Sequence, residues 1–159
     1  MRDDGIFWDS RLEPRDLLLF FLPLDRGNFQ YPLSSNDIRT LVDNYSEELA
    51  KEIKGELSSF YKNNEIEMIF QAIRALSKEN MTYEEASDVV NDYCTGIESS
   101  TLLNYLFDRS LIGTVDDRNW YTFKCRQSAF SSAKLEIDTR QLIVVQYGVR
   151  NYLRTRGYV

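Results

Sequence analysis

Between Glu98 and Gln127 the spacing of apolar positions changes period in mid-course. Leu102, Leu103, Leu106 and Phe107 recur at three- and four-residue intervals, which puts them on one face of a helix. Ser99 and Ser100 stand where a side-chain oxygen can cap its start, and Gly113 stands near its predicted stop. The period then drops to two. Tyr121, Phe123 and Cys125 alternate with Trp120, Thr122, Lys124 and Arg126, the pattern of a strand. The polar cluster Asp116 to Asn119 is short enough to turn a hairpin.

The same patterning predicts a series of helices ahead of that unit. Pro14 opens a short helix over the apolar run Leu17 to Leu22, which is hydrophobic on every face and so needs burial all round or a partner. Pro23 is read as its end. Ser34 or Ser35 caps a helix through Leu41 and Val42, and Ser46 caps a second one through Leu49, Ile53, Leu57 and Phe60. Ile66, Ile69, Phe70, Ile73 and Leu76 form an amphipathic face. Thr82 with Glu85 three residues on is a capping box, leading a helix through Val89 and Val90. Met81 stands where a short strand can fit between two helices. After the hairpin, Leu135 to Ile137 reads as a short strand. Leu142, Val145, Val149 and Leu153 have helical spacing, although the β-branched Val144–Val145 pair blurs where that helix begins. The fold class expected is therefore mainly α with a small β-hairpin (α+β). A helical region over 1–62 precedes a winged helix-turn-helix with a C-terminal helix over 63–159. The predicted core of the latter holds Ile69, Ile73, Val89, Leu103, Leu106 and Phe123.

Composition narrows the function classes. The chain has 159 residues, 43% of them hydrophobic and 13% aromatic, enough for a real core. No signal peptide is read at the start, where Phe7 and Trp8 stand in a polar setting like the tail of a longer parent or an interface strand. The longest apolar run is too short to span a bilayer, so no membrane association is expected. Cys94 and Cys125 lie far apart without a CxxC spacing, as reduced core thiols of a cytoplasmic protein would. There is no histidine, which removes histidine-based triads, histidine metal ligands and imidazole acid–base chemistry. Neither phosphate-cradling glycine motif occurs. Adjacent carboxylates such as Glu84–Glu85 and Asp116–Asp117 do not converge on a point, and the latter pair reads as turn chemistry. No cofactor, no metal and no enzymatic activity are expected.

Charge is uneven. Residues 1–100 carry 20 acidic and 10 basic residues, a net of −10, and residues 101–159 carry 5 and 9, a net of +4. The two halves read either as surfaces for different partners or as solvated faces. Arg109, Arg118, Lys124 and Arg126 can hold phosphates, joined by Arg140, Arg150, Arg154 and Arg156. In the helix that would enter a major groove, only Asn104 is a good base reader, and Asp108 repels phosphate. Trp120, Tyr121 and Phe123 either stack on bases or pack the hairpin against the helices. Four phosphate contacts would give a log–log salt slope of about −3 to −4.

The segments PRDLLLFF (Pro14 to Phe21) and LFDRSLIGTV…WYTFKCR (Leu106 to Arg126), with Tyr45-Ser46 between them and a helix at the end, resemble the C-terminal region of prokaryotic STAND/AAA-like P-loop ATPases of defence systems. The resemblance implies a helical region after an ATPase core, then a winged helix with a short terminal helix. It aligns Arg15 with an ATPase-facing arginine and Lys124 and Arg126 with the wing's basic pair. Glu13 stands where the family favours arginine, the terminal helix lacks the family's histidine, and the ATPase core is absent. The resemblance thus implies an excised piece or a stand-alone relative of that region. Two functions follow as expectations. One is a non-catalytic interaction or regulatory module, docking on a protein partner or on a P-loop ATPase core. The other is a DNA-binding winged-helix transcription regulator.

Overall fold

The computed structural model describes residues 14–27, 29–124 and 135–156, with the side chains of 14–17, 25 and 26 outside that description. Six helices and one small sheet make up the described chain: α1 (Pro14–Arg26), α2 (Ser35–Leu57), α3 (Asn63–Leu76), α4 (Tyr83–Tyr93), α5 (Ser99–Asp108), β1 (Ile112–Val115), β2 (Tyr121–Thr122), β3 (Leu142–Val145) and α6 (Tyr147–Thr155). The sheet is antiparallel in the order β2-β1-β3. The protein is thus mainly α with a small antiparallel sheet, the α+β class expected.

The helix starts follow the capping chemistry. Ser34 and Asp37 form a reciprocal box at α2, and Thr82 and Glu85 form one at α4. Each satisfies two backbone N–H groups that a helix start leaves unpaired. At α5 the polarity of the cap is reversed. Glu98 is the N-cap, and its carboxylate accepts from the hydroxyls of Ser100 and Thr101. The two serines are the first residues of the helix, not its caps.

Three expected boundaries shift. α1 runs through Pro23 to Arg26, because a proline near a helix end removes only one bond and Gly27 follows at once. α2 is one helix of 23 residues rather than two. Ser46 lies buried within it and donates its hydroxyl to the carbonyl of Val42 at 2.7 Å, which satisfies the side chain without breaking the helix. Leu142–Val145 is a strand, and the last helix begins at Tyr147. The β-branched run Ile143, Val144, Val145 pairs along β1, with Ile112 opposite Val145 and Thr114 opposite Ile143. Met81 then bridges to Ile143 on the far side, with N···O distances of 2.7 and 3.3 Å. Leu135–Ile137, expected as a strand, is irregular.

Gly113 lies inside β1 instead of at the end of α5. A Cβ there would stand 2.5 Å from the Thr122 carbonyl oxygen and 2.7 Å from the Phe123 ring, so the close approach of β2 requires glycine. The stop of α5 is Ser110, at φ +57°. Its N–H donates to the Phe107 carbonyl and that of Leu111 donates to Leu106, the double bond pattern of a Schellman motif.

One buried cluster runs through the whole described chain, from Phe20 on α1 to Leu153 on α6. Of the expected core, Ile69, Ile73, Leu103 and Leu106 are fully buried. Val89 is half-buried against the cluster, and Phe123 is half-buried over Gly113. Phe60, expected on the buried stripe of the second helix, is exposed instead, because α2 ends at Leu57 and the following turn carries Phe60 outward. α6 folds back onto α2. A Cβ on Gly148 would stand 2.8 Å from the Tyr45 ring and 3.0 Å from Leu49. Asn151 crosses the same interface, donating to Ser46 Oγ and Asp43 Oδ1 at 3.0 Å each. No helix of the described residues is long and apolar enough to cross a membrane.

Candidate functional site

The residues singled out from the sequence fall around α5 and the hairpin. Asn104 and Asp108 are one helical turn apart on the exposed face of α5. Across from them lies Lys124, just beyond β2, whose ammonium meets Asp108 Oδ1 at 2.6 Å. Together with Tyr83, Phe107, Leu135, Glu136, Ile137 and Thr139, these side chains line a groove of about 750 Å³. Its charges are mixed, with Asp108 and Glu136 set against Lys124.

Arg109 caps the same helix from the other side. Its guanidinium lies 3.2 Å from Glu56 at the end of α2 and 5.5 Å from the centre of the Tyr105 ring. Tyr105 in turn meets Phe60 edge-on at 6.2 Å. This cluster of Phe60, Tyr105, Arg109 and Glu56 escaped the reading of the sequence. Its members come from two segments about 50 positions apart, and nothing in the local pattern joins them.

Arg118 stands exposed in the turn between β1 and β2. The turn is built as its composition requires. Asp116 Oδ1 accepts from the N–H groups of Arg118 and Trp120, both at 2.9 Å, and Asn119 takes a left-handed φ of +61°. These bonds give Asp116 a structural role in turn formation. Trp120 is 72% exposed, so it projects from the hairpin and does not pack it against the helices as one reading of the sequence had it. Arg126 and Cys125 lie outside the described residues, as does the side chain of Arg15.

Among the described residues, three of the other back-half cations already have partners. Arg140 forks onto Asp138 at 2.9 Å, which holds that carboxyl below its usual range. Arg154 donates to Asn151, and Arg156 pairs with Glu47 on α2. Two of the four cations expected to meet phosphate, Lys124 and Arg109, already face carboxylates.

Chemistry of other kinds finds little support among the described residues. They contain no cluster of three or more aspartate, glutamate or cysteine side chains suited to a metal ion. Burial pushes the Cys94 thiol up to about 11, which keeps it protonated and unreactive at neutral pH. No family model, no curated protein and no solved structure matches this chain.

Proposed function

We propose that this chain is a non-catalytic interaction module that docks through the face of α5 and the hairpin onto a protein partner, a P-loop ATPase core of the kind its sequence resembles. Three helices, a hairpin and the Met81 bridge to β3 support a winged-helix reading of residues 63–156. The observation that carries the protein-docking reading is the pairing of Lys124 with Asp108 and of Arg109 with Glu56. A phosphate would have to displace a carboxylate at each. A protein surface can instead satisfy both signs at once, and complementary charge fixes its register. Trp120 is exposed and Tyr105 and Arg109 are half-buried, and all three belong to the residue types that most often anchor protein interfaces.

Two measurements test this. Fluorescence anisotropy with a labelled DNA duplex should show weak binding, with a log–log salt slope of about −1 to −2 at about −0.9 per contact, because among the described residues two of the candidate cations, Lys124 and Arg109, already face carboxylates. Tight, sequence-selective binding at physiological salt would make the chain a DNA-binding regulator instead. A photo-cross-linking amino acid at Asn104, introduced in cells, should yield adducts that mass spectrometry identifies as a P-loop ATPase. Adducts to nucleic acid would overturn the reading.

A further inference from the structure

α1 and the first half of α2 enclose a groove of about 680 Å³ that shares no lining residue with the groove beside α5. Its two walls differ in kind. The α1 side offers Leu19, Leu22 and Pro23, with Phe29 from the following segment. The α2 side is wholly polar. Asp37, Thr40, Asn44, Glu47 and Glu48 fall at the three- and four-residue spacing of one helical stripe. No cation lines the groove among the described residues. Beside it, Leu18, Phe21 and Leu22 form an exposed apolar ridge on α1, with Leu18 70% exposed. Apolar surface left exposed in a contiguous run marks an interaction site.

We infer that this groove is a docking site for a basic amphipathic helix, with its apolar stripe against α1 and its lysines or arginines along α2. The inference concerns residues other than those of α5 and the hairpin, and it stands or falls separately from the function proposed above. Charge decides the occupant. Asp37 keeps its charge, because the N–H and hydroxyl of Ser34 donate to its carboxylate at 2.8 and 2.6 Å. Glu48 is paired with Lys51 at 2.6 Å and Glu47 with Arg156. Both pairs are more open to solvent than Lys124–Asp108, whose lysine is only 18% exposed, so they hold more weakly and can yield to a partner's cations. A helix laid in a groove reads its floor with residues at i, i+3, i+4 and i+7, the same period at which both walls are built. A second copy of this chain fits less well, since the one basic helix among its described residues, α6, already buries Val149, Tyr152 and Leu153 and engages Arg154 with Asn151 and Arg156 with Glu47. Nucleic acid and anionic lipid are repelled by the α2 wall for the same reason.

The probe is a fluorescein-labelled peptide of about 18 residues, long enough for five helical turns, with leucine on one stripe and lysine on its flanks. A second peptide carries glutamate in place of each lysine. Anisotropy titrations use the full chain. The lysine peptide should bind saturably and the glutamate peptide should not. Leu22→Asp should weaken binding by about tenfold or more, as loss of an anchor does, even though the residue is exposed and its replacement leaves the fold intact by circular dichroism. The pair Glu47→Gln/Glu48→Gln should weaken it similarly. Glu84→Gln/Asp88→Asn removes the same charge from α4, outside the groove lining, and should leave it unchanged. Equal weakening by the two charge pairs would reduce the interaction to long-range attraction and overturn the site. Undiminished binding by Leu22→Asp, or no saturable binding at all, would do the same. So would a dimer in sedimentation that Leu22→Asp dissociates, because the ridge would then be covered by a second copy.

Discussion

Ser110 takes a left-handed backbone that most helix ends give to glycine. Its Cβ is crowded there by about 1–2 kcal/mol, partly offset by the extra freedom that glycine has in the unfolded chain. Ser110→Gly should therefore stabilise the protein by about 0.5–1 kcal/mol, read as a higher urea midpoint at unchanged slope. A lower midpoint would mean that the serine hydroxyl contributes something that the backbone does not reveal. The position was not legible in the sequence. A serine carries no signal for a left-handed turn, and the glycine three residues on drew the expected stop to itself. Gly113 is required for a different reason, the approach of Thr122 and Phe123, which no local pattern announces. Asn119 was easier to read, because asparagine in a short polar cluster is a common left-handed turn residue.

Among the elements, those with a chemical signature at their ends were legible. The Thr82–Glu85 box could be read because both partners lie within four residues and the bonds are local. The same chemistry sets a pH dependence. Hydrogen bonds from Thr82 hold Glu85 below its ordinary value of 4.5, and those from Ser34 hold Asp37 below 3.8. A carboxyl depressed in the folded state stabilises above its unfolded pKa, and that contribution is lost as pH falls through the folded one. Melting temperature should therefore drop between about pH 5 and about pH 3 more steeply for the natural chain than for Asp37→Asn/Glu85→Gln, which keeps acceptors but cannot titrate there. Parallel curves would mean that the caps do not titrate in this window. The strand β3 was hard to read for the opposite reason. Leu142, Val145, Val149 and Leu153 have helical spacing, yet the first two belong to a strand and the last two to a helix. A short apolar run buried on both faces has no period of its own, and what makes it a strand is the partner β1, distant in sequence. The sheet also separates two kinds of glycine. Gly113→Ala should destabilise by about 1–3 kcal/mol, as overpacking does. Gly55→Ala, at an exposed helical position with nothing within 4 Å of the new Cβ, should stabilise by about 0.5–1 kcal/mol. Urea melts of the two variants should move in opposite directions.

At the scale of the molecule, the candidate site was only partly legible, because a sequence lists cations but not what faces them. Asn104, Asp108 and Lys124 were each readable as surface residues of a helix or strand. That Asp108 neutralises Lys124, or Glu56 neutralises Arg109, follows only from tertiary packing. The same holds for the division of the chain near residue 62, which rests on a change of pattern. In the structure α6 closes onto α2, through Gly148 against Tyr45 and through Asn151 against Ser46, and one buried cluster joins α1 to α6. Because the last helix completes the packing of the second, unfolding should be a single cooperative step. Leu49 on α2 and Leu103 on α5 are both buried, at 1% and 0% exposure. Truncating either to alanine should cost about 2–5 kcal/mol. If the chain is one cooperative unit, each variant shifts the whole transition, and far-ultraviolet and near-ultraviolet circular dichroism melts superimpose in both. If residues 1–62 fold apart from 63–159, Leu49→Ala will instead split the melt, lowering one transition and leaving the other in place. The fold predicts the first outcome, because Leu49→Ala also loosens the seat of α6, and with it β3, Met81 and the sheet.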